Sequence, residues 1–186
     1  MRKFLLVVIA LVLAWIFVVP SCSKFGCDSA LATAHADDGS CPASLRGAAQ
    51  DPDWAADRLK TIADRPLTVG LFYDEDGTQH TYTSGRDDDS DLAEEILQDV
   101  GATPSRIDTY PAATHVEIKI AALMRENEVD YGVLVINHPG GVCNGEDGMS
   151  CQEVLGLVLA PGDTLVVWSS PSIRAGEADV YLGRSG

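Results

Sequence analysis

The sequence predicts an α/β domain in which a mixed central sheet is flanked by helices, and three stretches carry that prediction. Val133-Leu134-Val135-Ile136 is a continuous apolar run, as expected of a strand buried on both faces. Thr114 to Asn127 places Val116, Ile120, Leu123 and Met124 at helical spacing. Ile118, Ala121 and Ala122 widen that stripe, as in a helix pressed onto a sheet. Thr164 to Trp168 is a second buried strand, entered by the turn Pro161-Gly162-Asp163. Helix, strand, helix, strand in that order calls for a layered domain.

The chain opens Met1-Arg2-Lys3 and is then apolar without a break from Phe4 to Val19, the pattern of an export signal. Those sixteen residues span about 24 Å as a helix, short of a hydrocarbon core of about 30 Å. A cleaved signal fits better than a short uncleaved anchor. Val19-Pro20-Ser21-Cys22 resembles a bacterial lipoprotein processing site, although its proline departs from that pattern. Residues 1–22 are therefore read as an export signal or lipoprotein leader. The expected location is secreted or at the cell surface, with membrane association through the leader or a lipid on Cys22. Residues 23–50, polar and poor in large side chains as far as Arg46, are expected to form a flexible tether. Cys27 and Cys41 within it either close a small disulfide outside the reducing compartment or stay idle.

Residues 51–186 are enough for one domain and not two. Asp51 to Asp64 is a lead-in helix with Trp54, Leu59 and Ile62 as its apolar members, stopped by Pro66. Thr68 to Tyr73 and Thr78 to Thr83 form a hairpin around Asp74-Glu75-Asp76-Gly77. A helix begins in the acidic run Asp87 to Asp91 and continues through Val100, followed by loop from Gly101 to Pro111. Thr114 is the expected cap of the central helix, with Glu117 completing a capping box. Gln152 to Leu159 forms a short helix.

Four side chains in this frame carry chemistry. His115 and Glu117 are two apart, so on a helix they point about 200° away from each other. They cooperate only across a first turn, where the expected cap places them. Cys143 ends the turn His138-Pro139-Gly140-Gly141-Val142 behind the buried strand, and Cys151 lies at or just before the short helix, whose N-terminus favours thiolate. Two thiolates and one imidazole leave one tetrahedral position of Zn2+ open to water. Water activated there attacks an amidine-like ring carbon, and Glu117 shuttles its proton to the departing ammonia. A four-ligand structural site completed by His138 or His80 is the alternative.

The stretch 68–168 resembles the cytidine deaminase domain of bacterial polymorphic toxins, the group that includes double-stranded- and single-stranded-DNA cytosine deaminases. The residues that carry the resemblance are Thr68-Val69-Gly70, Phe72-Tyr73, Ser84-Gly85 and His115-Val116-Glu117. Further matches are Met124-Arg125-Glu126-Asn127, Asn137 and Pro139 before Gly141 and Cys143, and Gly162-Asp163. The resemblance implies a cytidine-deaminase-like layered fold over 51–186 and conversion of cytosine to uracil in DNA. It implies zinc ligation by His115, Cys143 and Cys151 and proton transfer by Glu117. It also implies a base pocket that includes Ser84, Gly85, Val116 and Asn137, and an immunity protein as partner. Two features depart from the family pattern. The cysteines are separated by the acidic loop Asn144 to Ser150 rather than by two residues, and His138 stands where an asparagine is frequent.

Charge narrows the substrate. The chain has 13 Lys and Arg against 28 Asp and Glu, a net −15, which becomes −17 once Arg2 and Lys3 leave with the leader. Non-specific nucleic-acid binding draws its affinity from phosphate contacts and asks for a basic surface. Glu75, Asp76, Asp87, Asp88, Asp89, Glu146 and Asp147 are expected around the site, with Arg86, Arg106, Lys119 and Arg125 left to guide a strand. Single-stranded DNA is therefore favoured over duplex, and free cytosine nucleosides or nucleotides are an alternative. A non-catalytic zinc-binding surface lipoprotein with a protein partner is a further one, against which a free Glu117 argues. Tyr73, Tyr82, Tyr110 and Trp168 offer either base stacking or packing.

Overall fold

The computed structural model describes residues 44–104, 109–145 and 150–185. The leader, Cys22, Cys27, Cys41, Arg106, Glu146 and Asp147 lie outside the described residues. Among those described, no helix is long and apolar enough to cross a membrane.

Five strands form one mixed sheet: β1 (Val69–Tyr73), β2 (Gln79–Thr83), β3 (Tyr131–Ile136), β4 (Thr164–Trp168) and β5 (Asp179–Leu182). Their order is β2-β1-β3-β4-β5. β1 is antiparallel to both β2 and β3, β3 and β4 are parallel, and β5 returns antiparallel to β4. The helices are α1 (Leu45–Ala48), α2 (Pro52–Ile62), α3 (Asp88–Asp99), α4 (Val116–Glu126), α5 (Cys151–Val158) and α6 (Ser170–Ala175).

Strand alternation divides the apolar side chains between two cores. Leu134 and Ile136 of β3, with Leu165 and Val167 of β4, face α3, α4 and α5. Val133 and Val135, with Val166 and Trp168, face α1 and α2. The central strands β3 and β4 are buried on both faces, as their continuous apolar runs required, while the edge strands β2 and β5 are largely exposed.

Two expectations about boundaries change. The tether does not extend to residue 50: Leu45, Ala48 and Ala49 are buried, and Trp168 Nε1 donates to Ala48 O at 3.1 Å. A stretch of small residues is held there because a tryptophan 120 positions away needs an acceptor for its indole N–H. Thr114 does not cap the central helix. It closes a 3-10 turn over Pro111–Thr114, its hydroxyl donating to Pro111 O at 2.9 Å, and His115 takes the cap position. The segment behind β4 was not anticipated at all: α6 spans six residues and β5 four, too short for a periodic pattern.

α4 lies close to the sheet because β1 carries a glycine under its first turn. A Cβ on Gly70 would sit 2.5 Å from Val116 Cγ1 and 2.8 Å from Leu134 Cδ1. Gly70→Val is therefore expected to lower stability by about 1–3 kcal/mol, by overpacking this contact. Urea unfolding measures it, and a change below about 0.5 kcal/mol would contradict the packing described.

Candidate metal centre and active site

His115 stands just outside α4, in extended backbone (φ −83°, ψ 141°), while its carbonyl already accepts from Ile118 N and Lys119 N. That break in geometry resolves the spacing problem. His115 projects from the entry to the helix and Glu117 from its first turn, and both line one cavity of about 330 Å³. Cys143 follows the turn after β3, where Gly141 has φ 76° and its N–H returns to His138 O at 3.1 Å. Cys151 is the first residue of α5, behind a capping box between Ser150 and Glu153. Gln152 N donates to Cys143 O at 3.2 Å and its side chain to Val142 O at 3.4 Å. These bonds bring the two cysteines together whatever the length of chain between them.

The ligand atoms of His115, Cys143 and Cys151 lie within 4.8 Å of one another, and His115 Nδ1 is 3.0 Å from Cys151 Sγ. His138 and His80 do not join them. His138 Nδ1 donates to Gly141 O at 2.8 Å, and His80 Nε2 meets Asp74 Oδ2 at 2.9 Å. Among the described residues the cluster therefore has three donors, which leaves a tetrahedral metal one open position.

Burial sets the protonation of the site. The Cys151 thiol is pushed well up by burial, and further by the Glu117 and Cys143 charges beside it. The helix N-terminus expected to favour its thiolate is outweighed, because a buried anion next to other anions needs a cation to hold it. Burial also raises the Glu117 carboxyl. The N–H groups of Glu117 and Cys143 and the rings of His115 and His138 oppose that shift only in part. Glu117 is 3% exposed, so it meets solvent only through the cavity.

Ser84, Gly85 and Val116 form cavity wall. Asn137 does not: its Oδ1 accepts from Val69 N at 2.7 Å, and its Nδ2 donates to Ile62 O at 2.9 Å and Leu67 O at 3.2 Å. It ties the end of β3 to β1 and to the link behind α2, so its place is structural. Leu67, Thr68, Thr114 and His138 complete the lining together with the site residues. Of these, only His138 is a site candidate in the sequence, as a possible ligand; Thr68 enters through the family resemblance and Thr114 as the expected helix cap. The others reach the wall through strand register and a 3-10 turn that residue types do not announce.

The charged and aromatic residues expected near the site are mostly committed elsewhere. Lys119 is fully buried and cannot meet a strand. Arg86 pairs with Glu94 at 3.0 Å. Glu75 accepts from Asp130 N and Tyr131 N at the opposite end of the sheet. Tyr73 and Trp168 are core residues, and Tyr110 donates to Ala102 O at 3.3 Å.

Residues 42–180, well over half of the chain, match the family described as SCP1.201-like deaminase. The chain belongs to this family. No curated protein matches it. A deaminase-family domain with a His/Cys/Cys cluster beside a cavity that a buried glutamate also lines is thus the frame for function.

A metal bound at this cluster displaces the Cys151 proton, so its affinity should rise with pH. Chelator competition with zinc as the probe is expected to show binding tighten from about pH 6 to about pH 8. Cys143→Ala should abolish tight binding. Affinity independent of both would place the metal elsewhere.

Proposed function

We propose that this SCP1.201-like deaminase is a zinc-dependent enzyme that converts cytosine to uracil in DNA, with single strands favoured over duplex. We further propose that it acts as an exported antibacterial toxin met by an immunity protein. The observation that carries the reaction class is the placement of Glu117 in the cavity that His115 and Cys143 also line, with the Cys151 donor clustered against those two. Two sulfur donors and one imidazole suit zinc among the common metals.

Zinc held there supplies the Lewis acidity that makes water nucleophilic near neutral pH. The chain's own residues do the rest. Glu117 takes a proton from the attacking water and delivers it to the ring nitrogen beside C4. It then takes the remaining proton from the new C4 hydroxyl and passes it to the amine, so that the C4–N bond breaks as the C4 carbonyl forms and cytosine and water give uracil and ammonia. A carboxyl raised by burial suits a group that must both accept and return a proton. Ser84, Gly85 and Val116 wall the space in which the ring would lie.

The single-strand preference rests on charge. Among the described residues the cavity lining contains no Lys or Arg, and the chain carries −15 overall. Opening a duplex and holding both backbones would ask for cations that this wall does not supply. The same observation favours a second reading, deamination of free cytosine nucleosides or nucleotides.

Uracil formation in matched single-stranded and duplex oligonucleotides, with cytidine alongside, tests these readings. The single strand should be the best of the three substrates. Glu117→Gln should keep one zinc and lose about 10²–10⁴-fold in rate; full activity in that variant would sink the mechanism. Turnover of cytidine with none on either DNA would transfer the assignment to the second reading.

A further inference from the structure

We propose that Lys119 is a positioning residue for the substrate wall, fixing the Ser84-Gly85 corner against the helix that carries Glu117. The inference rests on the deaminase reading above and deepens it. Lys119 lies two residues beyond Glu117 on α4 and is fully buried, so it cannot touch substrate. Its ammonium donates to Thr83 O at 3.0 Å and to Asp87 Oδ2 at 2.6 Å. Those two acceptors flank the short segment Ser84-Gly85-Arg86. One ammonium therefore clamps both ends of the corner.

The remaining bonds of the corner point the same way. Ser84 N donates to Thr68 O at 2.8 Å and Gly85 N to Thr114 O at 2.9 Å, and Thr68 and Thr114 also line the cavity. Gly85 has φ 123°, a conformation that side-chain-bearing residues rarely adopt, so the corner needs to be held rather than merely allowed. Burial pushes the Asp87 carboxyl up, but Lys119 and the N–H groups of Ser90 and Asp89 outweigh it and leave the group lowered. Asp87 thus stays ionised as the partner of the ammonium. Lys119 is buried while the Asp87 side chain is half-exposed, so the pair holds a desolvated ammonium at the protein surface, where its contribution is fixed geometry more than stability. Its location, between the pocket corner and the helix of the proton shuttle, is where fixed geometry matters.

The test compares Lys119→Met, Lys119→Arg and Asp87→Asn in the zinc-loaded protein. Zinc content, melting temperature, kcat and KM are measured for a cytosine-containing single-stranded oligonucleotide. Its Kd is measured separately in the Glu117→Gln background. Lys119→Met should retain one zinc, raise KM and Kd about tenfold and change kcat by less than about threefold, with Lys119→Arg in part restoring KM. Unchanged KM and Kd with only a lower melting temperature would overturn the proposal. If Lys119→Met does not fold, Asp87→Asn carries the same readout, since asparagine still caps α3. Absence of uracil from the unaltered zinc protein would sink the deaminase reading. The Kd comparison would still decide whether Lys119 shapes the pocket.

Discussion

The seating of α4 on Gly70 is the contact on which the site depends. Val116 is fully buried over that glycine, which fixes where the helix begins. The residue before Val116 is then outside helical geometry and the residue after it is in the first turn. His115 and Glu117, which a continuous helix would send to opposite sides, both line one cavity as a result. A bulkier residue at position 70 would lift this turn, and with it both functional side chains.

The second half of the site is assembled by a different force. Cys143 and Cys151 are eight positions apart in the chain, yet the bond from Gln152 N to Cys143 O draws the turn after β3 onto the start of α5. The cost of that convergence is electrostatic. Two thiols and a carboxyl are gathered where water is largely excluded, and burial drives both Cys151 and Glu117 toward their neutral forms. A divalent cation reverses that penalty for the thiols and leaves the glutamate as the one group that must trade protons. The proposed metal loading and the proposed acid–base role of Glu117 would both follow from the same burial.

Much of this was legible in the sequence. The apolar runs of β3 and β4 and the broad stripe of α4 announced a layered α/β domain, and the residue types at 115, 143 and 151 announced a candidate metal cluster, beside which the structure places Glu117. What the sequence hid was long-range. The N-terminal boundary is set by the Trp168 indole reaching Ala48, and nothing in an alanine- and glycine-rich stretch signals such a partner. The family resemblance implied a pocket role for Asn137, but its amide satisfies backbone groups of β1 and the α2–β1 link. Lys119 read as a surface cation because lysines almost always are. Its burial follows from two acceptors contributed by β2 and the cap of α3.

The proposed deamination of cytosine depends on a metal at His115, Cys143 and Cys151 working with Glu117. The most direct test follows uracil formation in a single-stranded oligonucleotide by the zinc-loaded protein, by the same protein stripped with a chelator, and after zinc is returned. The account predicts uracil that disappears on stripping and returns with one equivalent of zinc. Uracil formation unaffected by complete removal of the metal would contradict it.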